Sequence, residues 1–135
     1  MLFVMDVCSI FTFMYMSSVY KTMAFQLGGG LDDFSLTVIG ALGGLVNGGS
    51  RIFWGHLQDT YGFKKIYTGI LGCQIFVALT IIYVVNNPIL YGLWVLMGYN
   101  CLGSHFVLFP TAMVKTFGIR AGSQLYSMLY IGIGA

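Results

Sequence analysis

Glutamate is absent from this sequence, and charged residues of any kind are rare. Of the 135 residues, 7% are charged and 58% are hydrophobic. A soluble domain carries about a quarter charged residues, which keep its surface hydrated. Because a chain this short buries only part of its surface, much of the apolar content must face outward, and lipid is the solvent that permits it. The sequence therefore predicts an all-α membrane protein.

The residues that most enzyme sites require are also missing. There is no glutamate for acid–base chemistry, no histidine–cysteine cluster for a metal, no G-x-S-x-G elbow and no phosphate-binding P-loop. The three cysteines, Cys8, Cys73 and Cys101, lie far apart in apolar runs, where cysteine serves as a small apolar side chain. A net charge of +2 is too sparse for a nucleic-acid surface. We expect no enzyme, cofactor, metal or nucleic-acid partner.

Long apolar runs separated by short polar segments make up most of the chain. A helix needs about 20 apolar residues to cross a hydrocarbon core of about 30 Å. The pattern predicts one bundle of about five transmembrane helices, the last one cut short, at 2–20, 34–54, 65–85, 89–114 and 123–135. Pro110 is expected to kink the fourth of these spans.

The basic residues indicate the orientation of the spans. Every lysine and arginine except Lys21 lies in or near the segments that follow the second and fourth spans, which must be on the same side of the membrane. Cytoplasmic loops are enriched in lysine and arginine. We therefore expect these segments and the N-terminus to be cytoplasmic in a multi-pass membrane protein.

Glycines recur in the second span at spacings of three to five. Small residues at such spacing let another helix approach closely, which is how helices associate where lipid surrounds them. Membrane helices also tolerate glycine in general. Close packing is the interpretation we favour for this group: Gly40, Gly43, Gly44, Gly48 and Gly49.

The polar segment between the second and third spans contains the pattern G-x-x-x-D-x-x-G-x-K-K, formed by Gly55, Asp59, Gly62, Lys64 and Lys65. Glycine allows tight packing and sharp turns, aspartate can cap a helix or pair across a loop, and lysines hold a loop at the headgroups. In this position the pattern resembles the signature loop of the major facilitator superfamily.

Further segments extend the resemblance over essentially the whole chain. SRIFWGHLQDTYGFKK, the YKT at 20–22 and the LFPT near Pro110, followed by FG and GSQLY, look like the oxalate/formate antiporter-like or monocarboxylate-transporter-like branch. The resemblance implies a partial (half) major facilitator fold, matching helices seven to eleven of the C-terminal half, with the first half as the alternative.

The same resemblance implies a segment of a secondary active transporter. It would move a small organic anion, with or without a proton, by alternating access, and its partners would be the lipid bilayer and the missing half of the transporter or another copy of the chain. The alternative hypothesis is a non-transporting relic or a membrane assembly partner, because the chain has fewer spans than such a half requires.

Arg51 is the principal candidate for substrate binding. It lies inside the second span, where a cation must face protein or water. Arginine binds carboxylates in a bidentate manner, and the branch that the chain resembles uses an arginine at the matching position. The alternative is an anchor that reaches the cytoplasmic interface or pairs with Asp59. For a dicarboxylate, the resemblance implies a second cation in the helix that matches residues 123–135; none is present there, so a monocarboxylate is favoured over oxalate.

Other polar side chains in the spans are candidates for transport chemistry. Asp6 is a candidate proton relay, or else a partner of the helix dipole. His105 is a candidate for binding substrate or a proton, or else a residue hydrogen-bonded inside the bundle. Asn47, Gln124 and Tyr126 are candidates for substrate contacts, or else for hydrogen bonds between helices.

Overall fold

The computed structural model describes residues 2–27, 30 and 32–134, with the side chains of 2, 3, 6, 129, 130 and 132–134 outside the described part. Four helices follow one another in the chain: α1 Leu2–Gln26, α2 Asp33–Tyr61, α3 Phe63–Val84 and α4 Pro88–Gly134. The described residues form helices and short connections and contain no strand. The prediction of an all-helical protein is confirmed.

Apolar side chains cover much of the outside of these helices. Phe34, Ile52 and Tyr83 are 79%, 82% and 83% exposed, which is stable against lipid but costly in water. Among the described residues, three helices are long and apolar enough to cross a membrane: Asp33–Tyr61, Phe63–Val84 and Pro88–Met128. The chain is thus a multi-pass membrane protein, and the larger count of five spans stays a prediction.

Helix α2 continues through most of the polar segment that follows the second predicted span. It ends at Tyr61, and Gly62 adopts a φ of 82°, a left-handed conformation that favours glycine. Helix α3 begins at the next residue, Phe63. Gly55 and Asp59 therefore lie on a helix and not in a loop, because the first residue of this segment whose backbone leaves the helical conformation is Gly62.

Helix α4 is divided at Gly118, whose φ of 82° and ψ of 165° lie outside the helical region. Pro110, where the sequence predicts a kink, lies inside the helix. Beyond the break, the chain packs against the end of the preceding segment. A Cβ on Gly122 would lie 2.8 Å from the Cα of Val114, so only glycine fits at that contact.

Helix α4 packs against each of the other three helices, most extensively against α2. A Cβ on Gly43 would lie 2.5 Å from the ring of Tyr99, and one on Gly103 would lie 2.5 Å from the carbonyl oxygen of Asn47. Close packing is therefore observed at Gly43. A Cβ on any of three other glycines of α2 would have no atom within 4 Å: Gly44, Gly48 and Gly49. The glycines of α2 divide between a packed face and an open face.

Hydrogen bonds join α1, α2 and α4 at the end of the bundle that lies away from Gly62. Tyr20 Oη donates to the carbonyl oxygen of Leu36 at 3.0 Å, and Tyr91 Oη donates to that of Tyr20 at 2.6 Å. Lys21 forms an ion pair with Asp33 at 3.0 Å. Hydrogen bonds between membrane helices contribute about 0.6 kcal/mol each on average, so this group fixes the arrangement of the helix ends more than it adds stability.

Candidate functional site

A stripe of polar side chains runs along the side of α2 that contacts α4. Each member lies three or four residues from at least one other member, which places them near one side of a helix. They are Asn47, Ser50, Arg51, Trp54 and Gln58. Polar groups at this spacing within an apolar helix are positioned to bond to a neighbouring helix or to line a site.

Three members of this polar stripe bond to α4. Ser50 Oγ lies 3.4 Å from the carbonyl oxygen of Asn100, and Trp54 Nε1 donates to Oδ1 of the same asparagine at 2.8 Å. Gln58 Nε2 donates to the carbonyl oxygen of Leu108 at 3.0 Å and is buried. These bonds hold α2 and α4 in one register, which positions the remaining two members.

Arg51 and Asn47 lie at the edge of the contact between α2 and α4. Arg51 Nη2 donates to Asn47 Oδ1 at 3.1 Å, and its Cζ lies 4.7 Å from the centre of the Phe106 ring. A cation over an aromatic face is attracted by the ring quadrupole. The guanidinium is thus oriented by an amide of α2 and a ring of α4, while the arginine side chain remains exposed.

The sequence left open a pair between Arg51 and Asp59. In the structure, Asp59 pairs with a different residue. Its carboxylate pairs with Lys115 Nζ at 2.7 Å, at the end of α2 and near the break in α4. Arg51 lies roughly 16 Å before Gly62 along the helix, given a rise of about 1.5 Å per residue. Its side chain reaches toward Asn47, away from that end of α2.

The surface beside Arg51 is open. Gly44 and Gly48 share its face of α2, and both are exposed. All the other basic residues of the sequence lie near helix ends: Lys21, Lys64, Lys65, Lys115 and Arg120. A single cation within α2, next to an open glycine face, matches the charge of one carboxylate better than that of two.

His105 is placed on another side of α4. It is 1% exposed, and its Nε2 lies 2.8 Å from Gln74 Nε2 on α3. Its ring packs against Tyr67 and Phe109. The structure does not bring His105 to the Arg51 face, although its neighbour in sequence, Phe106, contacts the guanidinium. A role in substrate or proton binding stays a prediction.

The remaining candidates lie apart from Arg51 or outside the described side chains. Gln124 is exposed and Tyr126 half-buried on the segment beyond Gly118, and both stay predictions. Lys64 and Lys65 are exposed at the start of α3, where they suit the membrane interface. The side chain of Asp6 lies outside the described part, so its prediction as a proton relay has no structural account here.

Several residues of this region were not predicted as site residues from the sequence. Trp54 and Gln58 continue the three-to-four spacing that begins at Asn47, so the pattern itself was a usable signal. Phe106 was not recognisable, because an aromatic residue in a span is usually interpreted as packing or as part of the interfacial belt. The structure also places the side chain of Asn100 against α2.

Comparisons with known proteins give one informative similarity. No family model matches the chain, and no solved structure matches it. The curated protein Apicoplast pyruvate carrier 1 of Toxoplasma gondii is 31% identical over 104 residues, which are 74% of this chain and 18% of that protein. The chain therefore spans less than a fifth of the length of the relative it matches. The similarity is to a carrier and not to an enzyme, as expected.

The assignment to the major facilitator superfamily is overturned. No model of that or any other family matches the chain, and the relative is named as a pyruvate carrier. Residues of the pattern from Gly55 to Lys65 have local structural roles that could occur in any two helices joined by a short turn. Gly62 provides the turn between α2 and α3, and Asp59 pairs with Lys115. These roles explain the residues without specifying a superfamily.

Proposed function

We propose that the open face of α2 around Arg51 binds the carboxylate of a small monocarboxylate, and that the chain is part of a membrane carrier for this anion. The observation that carries the proposal is the exposed guanidinium held within α2 by Asn47 and Phe106. Pyruvate is the proposed substrate because the relative is named for it.

The energetics of a cation in a membrane favour this assignment. A guanidinium inside a membrane span is costly unless it faces water, protein or an opposite charge. It has five N–H donors, and its described hydrogen bond, to Asn47, uses one of them. The remaining donors suit a carboxylate, to which charge-assisted hydrogen bonds contribute about 1.5–3 kcal/mol each.

The surroundings of the guanidinium suit a substrate with one charged and one small apolar end. Asn47 uses Oδ1 to hold Arg51, and its Nδ2 group is a donor for a second substrate oxygen. Phe106 and the glycine face offer apolar contact for a methyl group. Gln124 and Tyr126 are proposed as further substrate contacts from beyond Gly118.

The carrier requires more helices than this chain has in contact with Arg51. We propose that other transmembrane helices, of a longer polypeptide or of a partner, cover the open face. The relative is more than five times as long as the matched segment. Gly44 and Gly48 leave room for a close approach. A proton accompanying the substrate would fit the predicted roles of His105 and Asp6.

Uptake of labelled pyruvate into proteoliposomes that contain the full-length gene product tests the proposal. Arg51→Ala removes the charge-assisted bonds, so initial uptake at low substrate concentration should fall roughly tenfold to a hundredfold, since about 1.4 kcal/mol corresponds to tenfold. Arg51→Lys keeps the charge but loses the planar fork, so it should have intermediate uptake.

Arg120→Ala is the matched control. It removes an exposed arginine near the break in α4 and should leave pyruvate uptake unchanged. Undiminished uptake by Arg51→Ala, in protein that is inserted and folded like the wild type, would remove Arg51 from the site. Equal loss in both arginine variants would show a general effect of charge and not a substrate contact.

A further inference from the structure

Two cysteines that are 28 residues apart in sequence meet between α3 and α4. Cys101 Sγ donates a hydrogen bond to Cys73 Sγ, with the two sulfurs 3.5 Å apart, and both are free thiols. Cys8 is exposed on α1. The sequence assigned all three to apolar packing, so the pairing is a result of the tertiary structure alone.

We propose that Cys73 and Cys101 form an oxidation site, at which a lipid-soluble hydroperoxide converts the two thiols into a disulfide that joins α3 to α4. A disulfide requires a sulfur–sulfur distance of about 2.05 Å, so the sulfurs must approach by roughly 1.5 Å. Rotation of the two side chains provides movement of this size without displacing a helix.

The two cysteines have different roles in this reaction. Cys73 and Cys101 both line an open groove. Cys73 is half-buried, whereas Cys101 is 1% exposed and donates its S–H to the Cys73 sulfur. Because Cys73 is the more accessible sulfur, it attacks the oxidant, and Cys101 resolves the product.

The depth of the pair in the membrane selects the class of oxidant. Cys73 follows ten residues of α3, which has 22 residues, so it lies roughly 15 Å from either end at about 1.5 Å per residue. This is the middle of a hydrocarbon core of about 30 Å. A charged, water-soluble oxidant is poorly soluble there, whereas a hydroperoxide on an acyl chain is not.

The electrons and atoms balance over two steps. The Cys73 thiol attacks the outer oxygen of the hydroperoxide, which breaks the O–O bond and forms a sulfenic acid, while the departing alkoxide oxygen takes the proton of the Cys73 thiol and leaves as an alcohol. Cys101 then attacks the Cys73 sulfur, forms the S–S bond and releases water. Two thiols are oxidised by two electrons, and one peroxide is reduced.

The test uses the full-length gene product in lipid nanodiscs, treated with cumene hydroperoxide or with glutathione disulfide. Remaining thiols are blocked with N-ethylmaleimide in denaturant before peptide mapping. No lysine or arginine lies between Lys65 and Lys115, so chymotrypsin must be used to separate the two cysteines. We expect at least about fivefold more Cys73–Cys101 disulfide with the hydroperoxide, because the charged disulfide is excluded from the core.

Matched variants assign the roles. Cys8→Ser should leave the yield of disulfide unchanged. In Cys101→Ser, dimedone should trap a sulfenic acid at Cys73; in Cys73→Ser, Cys101 should stay unlabelled because it is buried. The proposal is overturned if Cys73 and Cys101 are recovered fully alkylated after hydroperoxide treatment of the wild type, or if the disulfide that forms involves Cys8.

Discussion

Single residues determine how closely α2 and α4 approach. Gly103 faces Ser50 and the carbonyl oxygen of Asn47, and a Cβ there would lie 2.5 Å from that oxygen. The contact places Asn100 and Phe106 beside the polar stripe of α2. The absence of a side chain at Gly103 therefore allows the close contact that places Phe106 beside Arg51.

Gly103→Ala should lower the free energy of unfolding by about 1–3 kcal/mol. The added Cβ would overlap the carbonyl oxygen of Asn47, so the backbones of α2 and α4 must move apart. Unfolding in a titration of denaturing detergent against mixed micelles measures this difference. Gly69→Ala is the control, since a Cβ there has no atom within 4 Å and should cost little. Equal losses in the two variants would show that the contact at Gly103 is not limiting.

Phe106 should tune the affinity of the Arg51 face for substrate. Cation–π contacts contribute about 0.5–1 kcal/mol, so Phe106→Leu should raise the apparent KM for pyruvate uptake roughly twofold to fivefold. Phe106→Tyr keeps an aromatic face under the guanidinium and should retain the wild-type KM. An unchanged KM in Phe106→Leu would mean that the ring does not orient the arginine during transport.

At the scale of elements, turns and not the proline determine where the helices end. Gly62 and Gly118 both have a φ of 82°. Gly62 lies between α2 and α3, and Gly118 lies between the two segments of α4. Pro110 lies within continuous helix, since the loss of one backbone hydrogen bond can be tolerated when neighbouring helices support the segment. Asp59 and Lys115 then join the ends of α2 and the first segment of α4.

Gly118→Ala should lower the free energy of unfolding by about 1–3 kcal/mol, because a side chain is strained in this backbone conformation. The same detergent titration measures it. Gly72→Ala is the control: Gly72 lies in exposed helix with no atom within 4 Å of an added Cβ, so alanine there should be neutral or stabilising by up to about 1 kcal/mol. A neutral Gly118→Ala would indicate that the chain relaxes into one continuous helix.

At the scale of the whole molecule, the helices alternate in direction. The end of α2 and the break in α4 lie together through the Asp59–Lys115 pair, and the turn between α3 and α4 lies at the opposite end of α3. Lysines and arginines are concentrated at the first of these ends. This distribution predicts that the Gly62 end is cytoplasmic.

Labelling of single cysteines in intact cells tests this orientation. In a variant without the native cysteines, Asn86→Cys should react with an impermeant maleimide from outside, whereas Thr60→Cys and Phe117→Cys should react only after permeabilisation. All three positions are exposed. Labelling of Thr60→Cys and Phe117→Cys on opposite sides would contradict the arrangement of the helices itself. Reversal of all three would contradict only the assignment of the cytoplasmic side.

The amino-acid sequence alone determined the class of this protein. Hydropathy, the absence of glutamate and the length of the apolar runs act along each segment independently of its neighbours, so helices, a membrane setting and the unusual position of Arg51 were all predictable. The superfamily was not, because a short pattern around Gly62 is shared by chains whose helices need the same turn.

The tertiary structure alone decided which side of each helix faces a partner. Spans that are apolar all round carry little signal for their rotation, which is determined by packing between helices. For this reason the sequence could not show that Arg51 lies over Phe106, that His105 turns toward Gln74, that Gly43 is packed while Gly44 is open, or that Cys73 meets Cys101.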